Sequence, residues 1–322
     1  NPTNDGHDTI QVFLAPGYRA GRIAQRLEAS TDHNLATMES ILADTHSLFG
    51  EDVRSTLLRE VDTTLSEAGR QAYDALMAWQ FGCPTGLDGL DSQTAAPVAD
   101  AVQIRESVGC TVFHALIGRV VDSAFADELT AADVQWQPGM KPLARLLNRP
   151  ESMNYGLQFW DDVTTADETE SRVDIVTRAL NETGDWLREN LGPNTDDWLW
   201  GRIHQVTLLA PLFSDAGIND FNYGPFANDG GLYTVDVANP VGMQEQKYVQ
   251  TAGPSMRFTC VMTRPPNCTI QLPGGQRHLR ADPAYSNFLP GWLTNTSVPL
   301  NLDVSLNDDD EGRALTLTPT PQ

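Results

Sequence analysis

Residues that could drive catalysis on their own are scarce in this sequence. Its six histidines, at positions 7, 33, 46, 114, 204 and 278, are not spaced as the ligands of a metal ion. The sequence contains no Gly-x-Ser-x-Gly elbow for a nucleophilic serine, no His-Glu-x-x-His zinc motif and no glycine-rich phosphate loop. This pattern disfavours a freestanding serine hydrolase or metalloenzyme.

The charge balance of the 322 residues excludes some partners. The chain has 43 acidic and 21 basic residues, for a net charge of −22, and Lys141 and Lys247 are its only lysines. Such a field repels phosphate backbones and anionic lipid headgroups, so a nucleic-acid partner is not expected. The sequence has no apolar run of ~18 residues, which predicts no membrane span.

Four cysteines bear on the cellular compartment in which the protein is expected. They occur at positions 83, 110, 260 and 268, and three disulfide pairings are open. The local pairs are favoured, because the turn-rich stretch 263–267 between Cys260 and Cys268 could close a hairpin. Oxidised pairs would indicate a periplasmic or secreted protein. The sequence does not begin with a signal peptide, and if the chain is a processed fragment, its export signal is expected on another part of the precursor.

The hydrophobic periodicity changes along the chain. Helical spacing dominates from Gly17 to about Phe125, and a further helix is predicted from Ser171 to Asn190, ending at Gly192-Pro193. Short β-prone runs follow, at 205–209, 232–237, 256–262 and 314–317. This order predicts an α+β fold with a helical first half followed by a strand-rich second half, divided as 1–197 and 198–322.

Several short motifs recur in a recognisable order. They are Trp198-Leu-Trp200-Gly201-Arg-Ile-His204, Gly230-Gly231-Leu-Tyr-Thr234, Gly253-Pro254-Ser255-Met-Arg257 and Leu272-Pro273-Gly274-Gly275-Gln276. Together they resemble the C-terminal part of a penicillin amidase (penicillin acylase) family β subunit. The resemblance implies part of the αββα fold of an N-terminal-nucleophile hydrolase. It covers nearly the whole chain, including an Asp44 expected within the second helix.

The front of the chain resembles the same family. Asn1-Pro2-Thr3-Asn4, followed by Gly17-Tyr18-Arg19-Ala20-Gly21-Arg22-Ile23, is similar to the family's Asn/Pro turn and helix start. The resemblance implies that Arg22 borders the active site and that an asparagine of the turn donates to the oxyanion. Either Asn1 or a residue upstream of it could be this donor. Asp8 is the candidate calcium ligand, with calcium structural and no catalytic cofactor.

The resemblance also implies what the chain lacks. Family members attack with a Ser, Thr or Cys at the start of the β chain, whereas Asn1 has neither hydroxyl nor thiol. The first hypothesis is therefore the C-terminal portion of a penicillin-type or acyl-homoserine-lactone-type acylase. Its partners would be an α chain, the N-terminal part of the β subunit and a small acylated amide. The alternative is an inactive relative with a structural or binding role in an extracellular assembly.

One histidine in these motifs could serve as a general base. His204 lies in the Trp-x-Trp-Gly-x-x-His element, where a packed aromatic cluster with a hydrogen-bonded histidine is the favoured interpretation.

Overall fold

The computed structural model describes residues 16–61, 64–135, 139–147, 157–165, 167–243, 248–277 and 279–300. They fall into two compact units. The first unit comprises Asn1–Thr31 with Ile41–Pro254, and the second comprises Asp32–Ser40 with Ser255–Gln322. The predicted division at 197/198 follows the change from helices to strands and stays a prediction.

Helices dominate the first half, as predicted. The helices are α1 Tyr18–Glu28, α2 Leu35–Leu42, α3 Leu48–Leu57, α4 Glu67–Ala78, α5 Ala101–Ala131, α6 Met140–Leu147, α7 Arg172–Leu191, α8 Trp200–Ile203, α9 Pro211–Ser214 and α10 Leu289–Leu293. The predicted helix over 171–190 is confirmed as α7. It begins with a capping box between Ser171 and Asp174 and ends at Gly192, whose φ is 104°.

The strands form small sheets. They are β1 Leu87–Asp88, β2 Ala96–Pro97, β3 Gln205–Leu208, β4 Tyr223–Ala227, β5 Val249–Gln250, β6 Arg257–Val261, β7 Asn267–Gln271 and β8 Val298–Leu300. In the first unit β4 pairs antiparallel and β5 parallel with β3. In the second unit β6, β7 and β8 are antiparallel neighbours. The architecture is α+β, as predicted.

The strand predicted over 232–237 is wrong. The structure has turns there, with an isolated bridge between Gly231 and Val237. Tyr233 has φ 64°, in the left-handed region, which is incompatible with a continuous strand. The predicted strand over 314–317 lies outside the described residues.

The core of the first unit is built around α5. Its central residues are buried, including the predicted face Val112, Phe113, Leu116, Ile117, Val120 and Val121. By length and composition α5 could cross a membrane, but 89% of its most apolar window is buried inside the fold. This burial is typical of the central helix of a folded core.

Both favoured disulfides are confirmed. Cys83 pairs with Cys110, linking the segment after α4 to the buried part of α5. Cys260 pairs with Cys268 across facing positions of β6 and β7, which closes the predicted hairpin.

Candidate functional site around helix α1

Helix α1, which carries Arg22, has a polar inner face. None of its residues is buried, and its N-cap, Gly17, has no side chain that could form a capping hydrogen bond. Tyr18, Arg19, Arg22 and Arg26 are half-buried and recur at the spacing of one helix face. The helix is therefore positioned mainly by hydrogen bonds and charge, with little apolar burial of its own.

A single carboxylate anchors this face. Asp44 accepts from Arg22 Nε at 3.1 Å and Arg22 Nη2 at 2.9 Å, and from Arg26 Nη1 at 2.7 Å. The backbone N–H of His46 donates to Asp44 Oδ1 at 3.0 Å. Gln25 accepts from Arg22 Nη1 at 3.3 Å. Arg22 is thus held as a two-point fork on Asp44, a geometry that fixes the plane of its guanidinium.

The electrostatics of this cluster favour the charged form of Asp44. The Asp44 side chain is 3% exposed, against 21% for Arg22 and 34% for Arg26. Burial acts to raise the pKa of Asp44, but the hydrogen bonds from Arg22 and the His46 amide and the charges of both arginines outweigh it and lower that pKa. The two guanidinium groups share this one carboxylate.

The second anchor of α1 is the loop containing Gly230-Gly231-Leu-Tyr-Thr234. Arg19 Nε donates to the Thr234 carbonyl at 2.8 Å. The loop is fixed internally, because Gly231 N–H donates to Thr234 Oγ1 at 3.1 Å. Leu232 N–H donates to His114 Nε2 at 3.0 Å. The contact of Arg19 with Thr234 thereby brings the arginine motif and the loop motif together. In the sequence, Arg22 and Gly230 are 208 positions apart.

Behind the loop lies a buried aromatic stack. The Trp200 ring lies between His114 and His204, with centroid distances of 4.3 and 4.5 Å. His204 Nδ1 lies 2.7 Å from the Tyr248 carbonyl, and Trp200 Nε1 donates to the Gly230 carbonyl at 2.7 Å. The structure therefore places His204 in a packed cluster, the interpretation favoured from the sequence.

These histidines are poorly suited to act as bases for a substrate. Burial lowers the pKa of His114 to about 4 and that of His204 to about 3. Both rings are fully buried. Their geometry indicates structural donors and acceptors.

The predicted site residues have different outcomes. Arg22 is described and lies in the cluster with Asp44, whereas Asn1 and Asp8 lie outside the described residues. Asp44 was expected inside the second helix, but α2 ends at Leu42 and Asp44 follows it. Sequence reasoning missed Asp44 as the partner of Arg22, because a lone carboxylate 22 residues away gives no spacing signal.

One group of metal-type ligands occurs among the described residues. Cys83, Cys110 and His114 have donor atoms within 4.8 Å of one another, and all three are buried. Both sulfurs are joined in the disulfide, so neither is a free thiolate. His114 Nε2 is already an acceptor for Leu232. The group is therefore structural as it stands.

Comparisons with known proteins agree on one family. The family described as Penicillin amidase matches residues 1–306. The acyl-homoserine lactone acylase QuiP of Pseudomonas aeruginosa is 25% identical over 366 aligned positions, covering 97% of this chain and 39% of that protein. A solved thermostable penicillin G acylase from Alcaligenes faecalis matches with a TM-score of 0.52 and 12% identity, covering 100% of this chain and 56% of that one.

These matches carry different weight. At 12% identity the solved structure shows the fold alone, which the chain shares with that acylase. The chain spans only part of either relative's length. The family match extends over nearly the whole chain, and the chain therefore belongs to the penicillin amidase family.

Proposed function

We propose that this chain is the C-terminal portion of an N-acyl amide hydrolase of the penicillin or acyl-homoserine-lactone type. The observation that carries the proposal is the family match over residues 1–306, which includes the arginine motif held on Asp44. The acyl-homoserine lactone acylase among its relatives supports the same reaction class.

The reaction would be acyl transfer in two steps. A Ser, Thr or Cys at the start of another chain attacks the amide carbonyl through its oxygen or sulfur, with its own α-amine accepting the proton. The C–N bond breaks, and the amine leaves with that proton. Water then hydrolyses the acyl-enzyme, releasing a carboxylic acid and restoring the nucleophile.

This chain would contribute to the electrostatics of that reaction. The guanidinium of Arg22 is fixed in its plane by two contacts with Asp44, which suits hydrogen bonding to an oxyanion or a polar group of the substrate. We assign Arg22 to the border of the site. Asn1 is the proposed side-chain amide donor, a type of contact that contributes about 3 kcal/mol to a transition state.

The remaining parts of the proposal concern the assembly. The chain spans 39% of one relative and 56% of another, which supports a companion α chain and an N-terminal β portion. Two disulfides support a periplasmic or secreted location. A structural calcium at Asp8 is also proposed, and no step of the reaction is routed through it.

The test begins with the protein isolated from its native source. Intact-mass measurement and N-terminal sequencing should find a companion polypeptide that begins with Ser, Thr or Cys. Incubation with an N-acyl-homoserine lactone and with a penicillin should release free amine from at least one of them. Quenched samples should show a companion mass increased by one acyl group. Metal analysis after dialysis tests for calcium.

Variants of Arg22 test the assignment of this residue. Arg22→Gln should lower kcat/KM at least tenfold, and Arg22→Lys should recover part of the loss, because Lys keeps the charge but not the fork. Arg280→Gln removes an equal charge from an exposed position and should leave kcat/KM unchanged. An assembly without a nucleophile and without hydrolysis would favour the inactive-relative alternative.

A further inference from the structure

A cavity of about 270 Å³ lies in the first unit beside the N-terminal end of α1. Its lining comes from α1, α3, α6 and the Gly230–Thr234 loop. The lining includes Tyr18, Phe49, Lys141, Ala144, Arg145 and Tyr233. A water molecule occupies about 30 Å³ in the liquid, so the cavity has room for about nine water-sized groups.

One side of the cavity is aromatic. The Tyr18 ring lies 5.3 Å from Phe49 and 6.0 Å from Tyr233, and Phe49 and Tyr233 meet edge to face at 5.6 Å. Tyr18 Oη donates to Asp52 Oδ2 at 2.6 Å. Burial and this hydrogen bond raise the pKa of Tyr18, so the phenol stays neutral. With its hydroxyl engaged, Tyr18 contributes mainly its ring.

Tyr233 is held in a costly backbone conformation. Its φ of 64° is unusual for a bulky residue, and such conformations persist only where the surroundings impose them, often at ligand sites. Tyr233 N–H donates to Asn239 Oδ1 at 2.9 Å, and the next carbonyl, that of Thr234, accepts from Arg19. These contacts hold the backbone around Tyr233, whose side chain lines the cavity.

The other side carries positive charge. Lys141 and Arg145 are one turn apart on α6, and both line the cavity. Among the described residues, no carboxylate lies within ion-pair distance of either. In a chain with 43 acidic and 21 basic residues, two adjacent cations with no carboxylate partner in the described part of the chain are unexpected. A carboxylate offers the acceptor geometry that a guanidinium fork and an ammonium both bind.

We propose that this cavity binds a small carboxylate with an apolar body, which packs against Tyr18, Phe49 and Tyr233 while its carboxylate meets Lys141 and Arg145. The inference is argued from the lining of the cavity and does not require the proposed function, although its ligand belongs to the same chemical classes as the acid product and the acylated substrates of that reaction. The carboxylate could come from two sources, a free aliphatic acid or an intact acylated amine that carries a carboxylate. A six-carbon acid, with eight heavy atoms, is of the right size for about nine water-sized groups.

The test is direct binding to the isolated full protein. Calorimetry with hexanoate, hexanamide and hexylamine compares an anion, a neutral and a cation of equal length. Hexanoate should bind with one-to-one stoichiometry, and the other two more weakly. N-propanoylglycine, followed intact by NMR, represents the acylated-amine source. The tighter binder of hexanoate and N-propanoylglycine identifies the source, and binding of neither overturns the proposal.

Variants locate the binding to the cavity. Ala144→Phe should fill the cavity and abolish hexanoate binding, whereas Ala126→Phe, at an exposed position of α5, should not. The double variant Lys141→Gln with Arg145→Gln should weaken binding about five- to tenfold, as expected for two partly exposed ion pairs. Arg280→Gln, which removes a positive charge from an exposed position outside the cavity, is the control for a general effect of lost positive charge.

The double variant keeps the proposal falsifiable if Ala144→Phe does not fold, because both of its changes lie on residues outside the buried core. Equal binding of hexanoate and hexylamine, or hexanoate binding that the double variant leaves unchanged, would overturn the proposal.

Discussion

The substitution Asp44→Asn tests how α1 is held. Asparagine keeps the shape of the side chain and one acceptor oxygen but removes the charge that Arg22 and Arg26 share. Since α1 has no buried residue, it has little apolar packing to retain it when the carboxylate is neutralised. We expect α1 to open locally while the α5 core stays closed.

The magnitude follows from the contacts. In the variant, three hydrogen bonds from the guanidinium groups to position 44 are no longer charge-assisted. Each hydrogen bond loses about 1 to 1.5 kcal/mol of its contribution to stability. Because Arg22 is 21% and Arg26 34% exposed, solvent screening cuts this sum roughly in half, to about 2 kcal/mol. That corresponds to opening about 30-fold more often.

The assay is amide hydrogen exchange of the peptide covering residues 17–29 in the assembled protein. Exchange in this peptide should accelerate about 30-fold in Asp44→Asn at pH 7. The folded pKa of Asp44 is lowered, so its stabilisation is present above the unfolded pKa and is lost as pH falls through the folded value. The difference between wild type and variant should therefore shrink in acid, below about pH 4.

Asp74→Asn, at an exposed position of α4, is the matched control. Equal exchange in the two variants would refute the anchoring role of Asp44. Uniform acceleration across α5 and α7 would refute the local opening of α1.

Three further outcomes are expected. His114 and His204, with pKa values of about 4 and 3, should stay neutral at pH 5, so their ring nitrogen NMR shifts should not move between pH 7.5 and 5, where an exposed histidine titrates near ~6.5. Gly184→Ala should lower the free energy of unfolding by about 1 to 3 kcal/mol in urea titrations, since a methyl group there would overlap the backbone of Ala68. Replacing the disulfide Cys83–Cys110 by two alanines should cost about 3.5 kcal/mol in the same titrations, from its separation of 27 residues.

Local signals in the sequence were sufficient for many elements. The helix α7 was predictable because its capping box at Ser171 and its stop at Gly192 are neighbours of the residues they cap. The hairpin closed by Cys260 and Cys268 was predictable because the turn lies between the two cysteines. In each case the determining contacts span fewer than about ten residues, within the range of turn and capping rules.

The failures share a physical cause. The run 232–237 has β-prone residues, but Leu232 N–H bonds His114 and Tyr233 N–H bonds Asn239, and these contacts bend the backbone into turns. The pairing of Arg22 with Asp44 likewise depends on how α1 packs beside the segment after α2. Neither contact produces a periodicity or a motif, so no local pattern could reveal it.

The position of α1 links the two parts of this region. Its first residue, Tyr18, forms one wall of the cavity, and Arg22, one turn later, is fixed on Asp44. A ligand that packs against Tyr18 favours the folded form of α1, and it thereby also stabilises the helix that carries Arg22. Because α1 has no buried residue, its stability depends on both the Asp44 contacts and any ligand that packs on Tyr18.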